Sequence, residues 1–324
     1  MSVSVLKPGL LSSLQDRGRR GHAAIGVGRA GAMDGPAWQL ANALVGNRGD
    51  EATIECTLLG PTLRFERAAW IALTGAPIAA RVGDLSLPPW TTCHLPAGSV
   101  LQLGGMPLGC RSYLAVRGGF AVAPVLGSRS SDLHAGLGRA LRAGDVLALS
   151  AEIPLRVRGA TEAVGVLPWG LDPQPWFDFG RQPIALLHGS HWAWLDEASR
   201  QHVLGGSFAI STDSNRTASR LDGQTLQLRE PLELISEAAL PGTMQLPPSG
   251  QPIVLMAEAP VTGGYPRIGQ IAAVDLPRLA QRRPGDTVCF QYSTLEQALA
   301  RLAEREQRLA RLRRHIAQRL EHPE

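Results

Sequence analysis

The segment PAGSVLQLGGMPLGCRSYLAV, residues 96–116, decides the fold class. It holds two apolar runs, Val100-Leu101-Gln102-Leu103 and Tyr113-Leu114-Ala115-Val116, with Gly104, Gly105, Pro107 and Gly109 between them. Runs this short, fenced by turn-forming residues, have the length of strands and fall short of a stable helix. The same style extends outward in both directions. Trp70-Ile71-Ala72-Leu73 precedes the segment; LQL (226–228), LELI (232–235) and IVLM (253–256) follow it. Glycine (36) and proline (24) are abundant and aromatics make up only 5%, a balance that suits many turns between short strands. With 44% hydrophobic residues among 324, the chain can bury a sizeable core.

The opening segment also echoes. Pro96, Gly98, Leu101, Leu103 and Tyr113 recur as Pro248, Gly250, Ile253, Leu255 and Tyr265 at one constant offset. Each half then ends on a Gly-Asp turn entering a strand, Gly144-Asp145 before Val146-Leu147 and Gly285-Asp286 before Thr287-Val288. A constant offset is the mark of a repeat. The expected fold is therefore mainly β, with two similar β-barrel-like domains over 1–150 and 151–292 and a few short helices. One helix is expected where Asp34 can cap, Pro36 sits in the first turn, and Trp38, Leu40, Ala41, Leu44 and Val45 precede Gly46. A second is expected around 194–203. In the tail, 293–324, Leu295, Leu299, Leu302, Leu309, Leu312, Ile316 and Leu320 recur at three- and four-residue steps among Arg and Glu, which predicts a C-terminal amphipathic helix. Such a helix either packs on its own body or serves self-association as a homo-oligomer or docking of a partner chain.

The net charge of +4 is carried almost wholly by arginine, because Lys7 is the only lysine. No basic stripe interleaved with aromatics occurs, so nucleic acid is not an expected partner. No run approaches the ~18 apolar residues of a membrane span. The N-terminal MSVSVLKPGLLSSLQD lacks the charged and apolar regions of a signal peptide. Cys56, Cys93, Cys110 and Cys289 lie far apart with no CxxC pair, and read as reduced thiols of a soluble cytoplasmic protein. Scarcity of lysine excludes several chemistries as well. There is no GxxxxGK loop, Lys7 beside Pro8 does not suit a Schiff base, and no lysine stands in a hairpin to carry biotin. ATP or tethered biotin, if used, arrives on another polypeptide.

Four segments are richer in polar residues than a β scaffold requires. In the first, Gln15, Asp16 and Arg17 lead a glycine-rich string to His22, with 31–34 (GAMD) following; its glycines permit close backbone approach to a polar ligand, and an ordinary turn with structural ion pairs accounts for it equally well. In the second, Gly118-Gly119 leads to Gly127-Ser128-Arg129-Ser130-Ser131, where Arg129 and the hydroxyls suit a carboxylate or phosphate and where hairpin chemistry produces much the same string. The third carries Ser214, Arg216 and Arg220. Two arginines four apart suit a planar anion, and a solvated loop is the alternative. The fourth sets Glu258 just beyond an apolar strand, with Thr262, Gly263, Gly264, Tyr265 and Pro266 behind it. A carboxylate so placed suits proton transfer; a merely hydrogen-bonded strand end is the alternative. His188 and His191 on a Gly-Ser turn do not form the HExxH of a zinc helix, so no metal is expected. No G-x-S-x-G elbow supports a serine triad.

These motifs, in this order, resemble the KipA/PxpC family, also called allophanate hydrolase subunit 2 or the biotin-dependent carboxyltransferase-like family. The resemblance runs from about Leu11 to Phe290. It is carried by Gln15-Asp16-Arg17-Gly18-Arg19-Arg20-Gly21, GAMD at 31–34, ANALVGN at 41–47 with Asn42, ATIE at 52–55 with Gly60-Pro61, the Gly118 and Gly127 strings, GTMQLPPSGQP at 242–252 and TGGYP at 262–266. Two departures stand out. The family's S-D-R-M-G-x-R-L-x-G reads SNRTASRLDG at 214–223, and the usual Asp ahead of the TGGYP string is Glu258.

The resemblance implies cyclophilin-like β-barrel domains working with a KipI/PxpB-like subunit and a PxpA-like subunit, in an ATP-dependent complex that opens 5-oxoproline to glutamate. The chain alone is not expected to turn over. Related domains fused to biotin modules imply an alternative, carboxyl transfer from carboxybiotin to urea, and the KipA name implies another, a non-catalytic antagonist of a KipI-like kinase inhibitor. For a small lactam or amide, Arg216, Arg220 and Tyr265 are the implied donors to the carbonyl oxygen, and Glu258 the implied proton manager. Gln15, Asp16, Arg17, Asp34, Asn42, Arg129, Ser214, Thr262, Gly263 and Gly264 are the implied substrate-binding set.

Overall fold

The computed structural model describes residues 2–47, 50–151, 163–176, 182–230, 232 and 234–321. They form two compact units, one of Met1–Gly18, Asp34–Asp178 and Arg308–Glu324, the other of Arg19–Met33 and Phe179–Gln307. The units follow contacts instead of a single cut near residue 150. Residues 19–33 count with the second unit, and the tail is shared.

The first unit contains β1 (Ser2–Lys7), β2 (Leu11–Gln15), β3 (Thr53–Thr57), β4 (Thr62–Phe65), β5 (Ala69–Gly75) and β6 (Ala80–Val82). It continues with β7 (Leu85–Ser86), β8 (Thr91–Leu95), β9 (Val100–Leu103), β10 (Arg111–Val116), β11 (Val146–Ala148) and β12 (Gly165–Gly170). They make two six-stranded sheets, ordered β11-β1-β4-β9-β6-β7 and β12-β8-β5-β10-β3-β2. One apolar core joins Val3, Phe65 and Leu101 of the first sheet to Ile54, Ile71, Leu95 and Leu114 of the second. Alternation sets the register of the first sheet: Leu101 and Leu103 are buried while Gln102 between them is exposed. β10 is buried at all six positions, because helix α1 (Gly35–Leu44) packs against it and β5. The α1 cap is as expected, with Asp34 Oδ1 accepting from Ala37 N at 3.1 Å and proline in the first turn.

The second unit holds β13 (Ile184–His188), β14 (Phe208–Ile210), β15 (Ala218–Asp222), β16 (Glu237–Ala238) and β17 (Thr243–Gln245). It adds β18 (Ile253–Leu255), β19 (Thr262–Gly263), β20 (Arg267–Ile271), β21 (Thr287–Val288) and β22 (Phe290–Tyr292), with helices α2 (Glu197–Gly205) and α3 (Leu276–Ala280). Eight strands form one sheet in the order β21-β14-β15-β18-β17-β20-β13-β22. Its two terminal strands, β21 and β22, are separated in the chain by Cys289 alone. The sheet must therefore curl until its ends meet, which makes a nearly closed barrel. Phe208, Leu221, Met244, Val254, Ile268 and Phe290 fill it. The ribbon of β16 and β19 is a separate two-stranded sheet.

Two expected strands do not form. Leu226 is buried in the barrel core and Leu228 makes only an isolated bridge to Leu195. Residues 232, 234 and 235 lie outside any strand, Ile235 being 89% exposed, while 231 and 233 fall outside the described residues. Ile235 has no buried face to hold it in a strand, whereas Leu226 is buried without a strand partner. The helix expected at 194–203 is α2, starting at Glu197 behind the Asp196 cap.

The echo in the sequence has a structural counterpart. The ladder β11-β1-β4-β9 of one unit has the strand order of β21-β14-β15-β18 in the other. Gly144 (φ 88°) and Gly285 (φ 85°) both take the left-handed conformation that favours glycine. Arg142 N donates to Asp145 Oδ2 and Arg283 N to Asp286 Oδ2, each at 2.8 Å. Gly144 N and Gly285 N donate to Val5 O (2.8 Å) and Ile210 O (2.7 Å).

The amphipathic tail is α4 (Leu295–Glu321). Within the first unit its Leu309, Ile316 and Leu320 join the core. Within the second, Arg301 donates to both carboxylate oxygens of buried Asp275, at 3.1 and 2.8 Å. Leu295 and Leu299 stay exposed. Among the described residues no helix is long and apolar enough to cross a membrane, and no disulfide joins the four cysteines.

Candidate functional site

In the second unit, the loop before β15 and the turn after β18 place Arg216 beside Glu258. Arg216 Nε donates to Glu258 Oε1 at 2.6 Å, and Nη2 donates to Gly31 O at 2.7 Å. The side chains are 2% and 3% exposed. Backbone bonds hold them there: Glu258 N donates to Arg216 O (2.9 Å) and Met256 N to Thr217 O (2.8 Å). The second carboxylate oxygen, Glu258 Oε2, accepts no hydrogen bond from any described residue and is not sealed from solvent. A fixed carboxylate with one oxygen anchored and the other open suits a proton-handling group.

The remaining candidates of this unit lie around the outer face of the barrel. Leu221 points into the core and Arg220 away from it. The register sets Arg220 opposite Ile253, Ile253 opposite Gln245, and Gln245 opposite Arg267. The β16–β19 ribbon covers part of this face, with Ala239 and Ala259 packed on Ala218 and Leu255. Thr262 and Gly263 form β19 itself, paired with Ala238 and Glu237. The Arg220 guanidinium and the Tyr265 phenol, the latter 45% exposed, make no hydrogen bond or ion pair with described residues. Ser214 closes its own loop, its Oγ accepting from Arg220 N at 3.0 Å and donating to Arg220 O at 3.3 Å. At Asn215, where the resembled family has aspartate, Oδ1 accepts from Thr217 N (2.8 Å) and Ala218 N (3.1 Å).

In the first unit, most of the implied binding residues are occupied by the protein itself. Asp16 Oδ1 accepts from Gly18 N (2.8 Å), Ser128 Oγ (2.6 Å) and Ser130 Oγ (2.6 Å), and Oδ2 from Arg129 N (2.6 Å). This knot ties the end of β2 to the glycine-serine string. Gln15 Nε2 bonds Ser13 Oγ (2.9 Å) and Ser131 O (3.0 Å). Arg129 Nε bonds Val122 O at 2.9 Å, and Arg17 pairs with Asp50 at 3.1 Å on the surface. Asn42 bonds the carbonyls of Glu51 (3.0 Å) and Trp38 (3.3 Å), and accepts from Asn47 at 2.7 Å. Asp34 is the helix cap. Asp16, Asn42 and Asp34 thus hold structure, and Gln15 does so through Nε2 while its buried Oε1 has no hydrogen-bond partner.

Sequence reasoning missed three things. Gly31 serves through its carbonyl, which no side-chain motif signals. Buried Tyr113 donates to Glu55 Oε2 at 2.7 Å and accepts from Asp34 N at 2.7 Å; burial, then the charges of Glu55 and Asp34, pushes the phenol well above its ordinary pKa. Gln245, inside the GTMQLPP string, is 3% exposed and its Nε2 has no acceptor, a cost of roughly 1–3 kcal/mol for a sealed polar group. The histidines serve packing. His188 stacks on Trp192 at 4.2 Å and His191 Nδ1 accepts from Arg267 N at 3.1 Å, desolvation lowering both pKa values. Among the described residues, no three His, Cys, Asp or Glu side chains gather to hold a metal ion.

The chain is 40% identical over 305 residues to the C-type subunit of 5-oxoprolinase from Escherichia coli, covering 92% of this chain and 93% of that protein. It is 34% identical to the corresponding C-type 5-oxoprolinase subunit of Haemophilus influenzae, covering 97% and 98%. The crystal structure of the K. lactis urea amidolyase superposes with a TM-score of 0.83 at 25% identity, over 95% of this chain and 20% of that much longer one. Residues 25–292 match the family described as carboxyltransferase domain, subdomain A and B, and the chain belongs to that family.

Proposed function

We propose that the chain is the C-type subunit of an ATP-dependent 5-oxoprolinase-type complex, in which it holds the lactam while PxpB/KipI-like and PxpA-like subunits complete the machinery. The observation that carries this reading is its 40% identity, along nearly the whole of both chains, to the C-type 5-oxoprolinase subunit of E. coli. In this reading Glu258 Oε2 manages the proton on the lactam nitrogen as the C–N bond opens, and Arg216 fixes that carboxylate in place. The free Arg220 guanidinium pairs with the substrate carboxylate, and the Tyr265 phenol donates to the carbonyl oxygen as it gains charge. Lys7, exposed on β1, is the sole lysine. The residues of this chain therefore do not fit a Walker-type ATP loop or a lysine-tethered biotin, and no step on this chain runs through either.

The test is reconstitution. The chain mixed with its PxpA- and PxpB-like partners should release glutamate from 5-oxoproline with ATP consumption, and the chain alone should not. A well-folded, complete complex that leaves 5-oxoproline intact overturns the reading. The fit to the K. lactis urea amidolyase favours one alternative, carboxyl transfer to urea; ¹⁴C transfer from carboxybiotin to urea by the same complex would establish it instead.

A further inference from the structure

The second half of helix α4 carries the surplus charge of the chain. Arg308, Arg311, Arg313, Arg314 and Arg319 fall within residues 308–320, with no acid among them. The whole chain has a net charge of +4, so outside these five arginines the balance is −1. One side of this stretch is spent on the first unit: Leu309, Ile316 and Leu320 enter its core, and Arg313 donates to Gln39 Oε1 at 3.1 Å. The other side holds Arg308, Arg311, Arg314 and Arg319, all exposed. Arg308, Arg311, His315 and Arg319 recur at steps of three and four, which makes a row about 16 Å long on one flank. Its ends are braced. The Arg308 guanidinium lies 5.7 Å from the ring centre of Trp176, and that of Arg319 lies 5.5 Å from the ring centre of Trp169. None of the four exposed guanidiniums makes an ion pair or hydrogen bond with a described residue. A solvated helix face ordinarily mixes signs, as α4 does earlier, where Glu296, Glu304 and Glu306 stand among Arg301 and Arg305. The helix dipole favours cations over the last turn only, which accounts for Arg319 and not for Arg308, Arg311 or Arg314. Like charges three or four apart on a helix repel, so this row costs stability unless a counter-charge comes from outside the chain.

We propose that this arginine face of α4 is a docking surface for a carboxylate-rich patch on a companion subunit. The inference rests on the complex proposed above and adds to it the place and chemistry of one contact. Arginine forks match carboxylates bidentately, and guanidiniums already braced on tryptophan lose less freedom on binding. Arginine is also among the residues that dominate subunit contacts. A nucleic-acid surface would interleave free aromatic faces with the arginines, whereas Trp176 and Trp169 turn theirs to Arg308 and Arg319. A membrane-surface helix turns large apolar side chains outward; here Ala310 and Ala317 stand between the arginines, and the large apolar side chains are buried.

The test compares the full chain with the triple variant Arg308→Gln/Arg311→Gln/Arg314→Gln and its lysine counterpart, each titrated with the purified PxpA- and PxpB-like subunits. For one of the two subunits the glutamine variant should bind tenfold or more weakly than the wild type, and the lysine variant should recover most of that loss. Wild-type affinity should fall as salt is raised, and the affinity of the glutamine variant should fall less. Because the replaced side chains are exposed and repel one another, the glutamine variant should melt at or above the wild-type temperature. Unchanged affinity of the glutamine variant for both subunits, in a complex that still opens 5-oxoproline, overturns the assignment and leaves the function standing. A lysine variant as weak as the glutamine one overturns it too, since charge would not be the cause. Arginine-dependent capture of phosphatidylserine vesicles or duplex DNA, with subunit affinity untouched by the glutamines, gives the face to another partner and overturns it as well. A wild-type chain that binds neither subunit and forms no active complex brings down the function and this assignment together.

Discussion

Arg216 and Glu258, 42 residues apart in sequence, meet through Nε and Oε1 at 2.6 Å with almost no exposure to solvent. Their meeting follows from the pairing of β15 with β18, which sets the loop before one strand against the turn after the other. Two charges taken out of water need each other more than the fold needs the pair.

Removing either partner strands the other. Arg216→Ala and Glu258→Ala should each lose about 3–5 kcal/mol of stability, measured by urea unfolding, and should abolish turnover. Glu258→Asp keeps the charge and shortens the reach, so its loss should be smaller. Wild-type stability in either alanine variant would show that the ion pair does not persist in solution.

Asp16 is expected to matter for folding and not for substrate. Its carboxylate holds four donors, and hydrogen bonds to a charged group contribute roughly 1.5–3 kcal/mol each. Losses within one cluster do not add, so Asp16→Ala should cost at least about 3 kcal/mol. The fraction that folds should keep the wild-type KM. A raised KM with unchanged stability would return Asp16 to the binding site.

The tail makes a contrast within one helix. Leu309→Ala and Ile316→Ala delete side chains that are 1% and 2% exposed, and should cost about 2–5 kcal/mol each. Leu295→Ala and Leu299→Ala, at 62% and 54% exposed, should stay within about 0.5 kcal/mol. Equal effects at the four positions would mean that the helix does not dock as described.

Acid should loosen the first unit through Asp145. The two hydrogen bonds from Arg139 (2.7 and 2.6 Å), with Arg142 N beside them, hold its carboxyl below the ordinary 3.8. A group whose folded pKa is depressed stabilises the fold above its unfolded value and loses that contribution as pH falls through the folded one. Stability should therefore fall below about pH 4 in the wild type, and less steeply in Asp145→Asn, when unfolding is followed from pH 6 to pH 2. Parallel curves would remove Asp145 from the acid transition.

The β class, the α1 cap, the Gly-Asp turns and the tail helix were legible because each rests on local chemistry: strand-length runs, a capping carboxylate, glycine at positive φ, a helical period. The runs at 226–228 and 232–235 carried the same composition as the true strands; Leu226 is buried without a strand partner, and Ile235 is exposed. The site was legible in part. Arg216 and Glu258 appear as chemistry-bearing residues in sequence, but their union depends on strand pairing. Asp16, Asn42 and Gln15 look like ligand residues because polar side chains serve structural knots and binding sites alike. Gln245 escaped notice because an unmet donor has no signature until its surroundings are known.

The matching ladders at Gly144 and Gly285 carry a further consequence. Four strands, one turn and the same two hydrogen bonds occur twice in one polypeptide, so each unit carries within itself the local contacts that fix its ladder. What the two units do not share, α1 over one sheet and the β16–β19 ribbon over the other, lies outside that common ladder and can change without unmaking it.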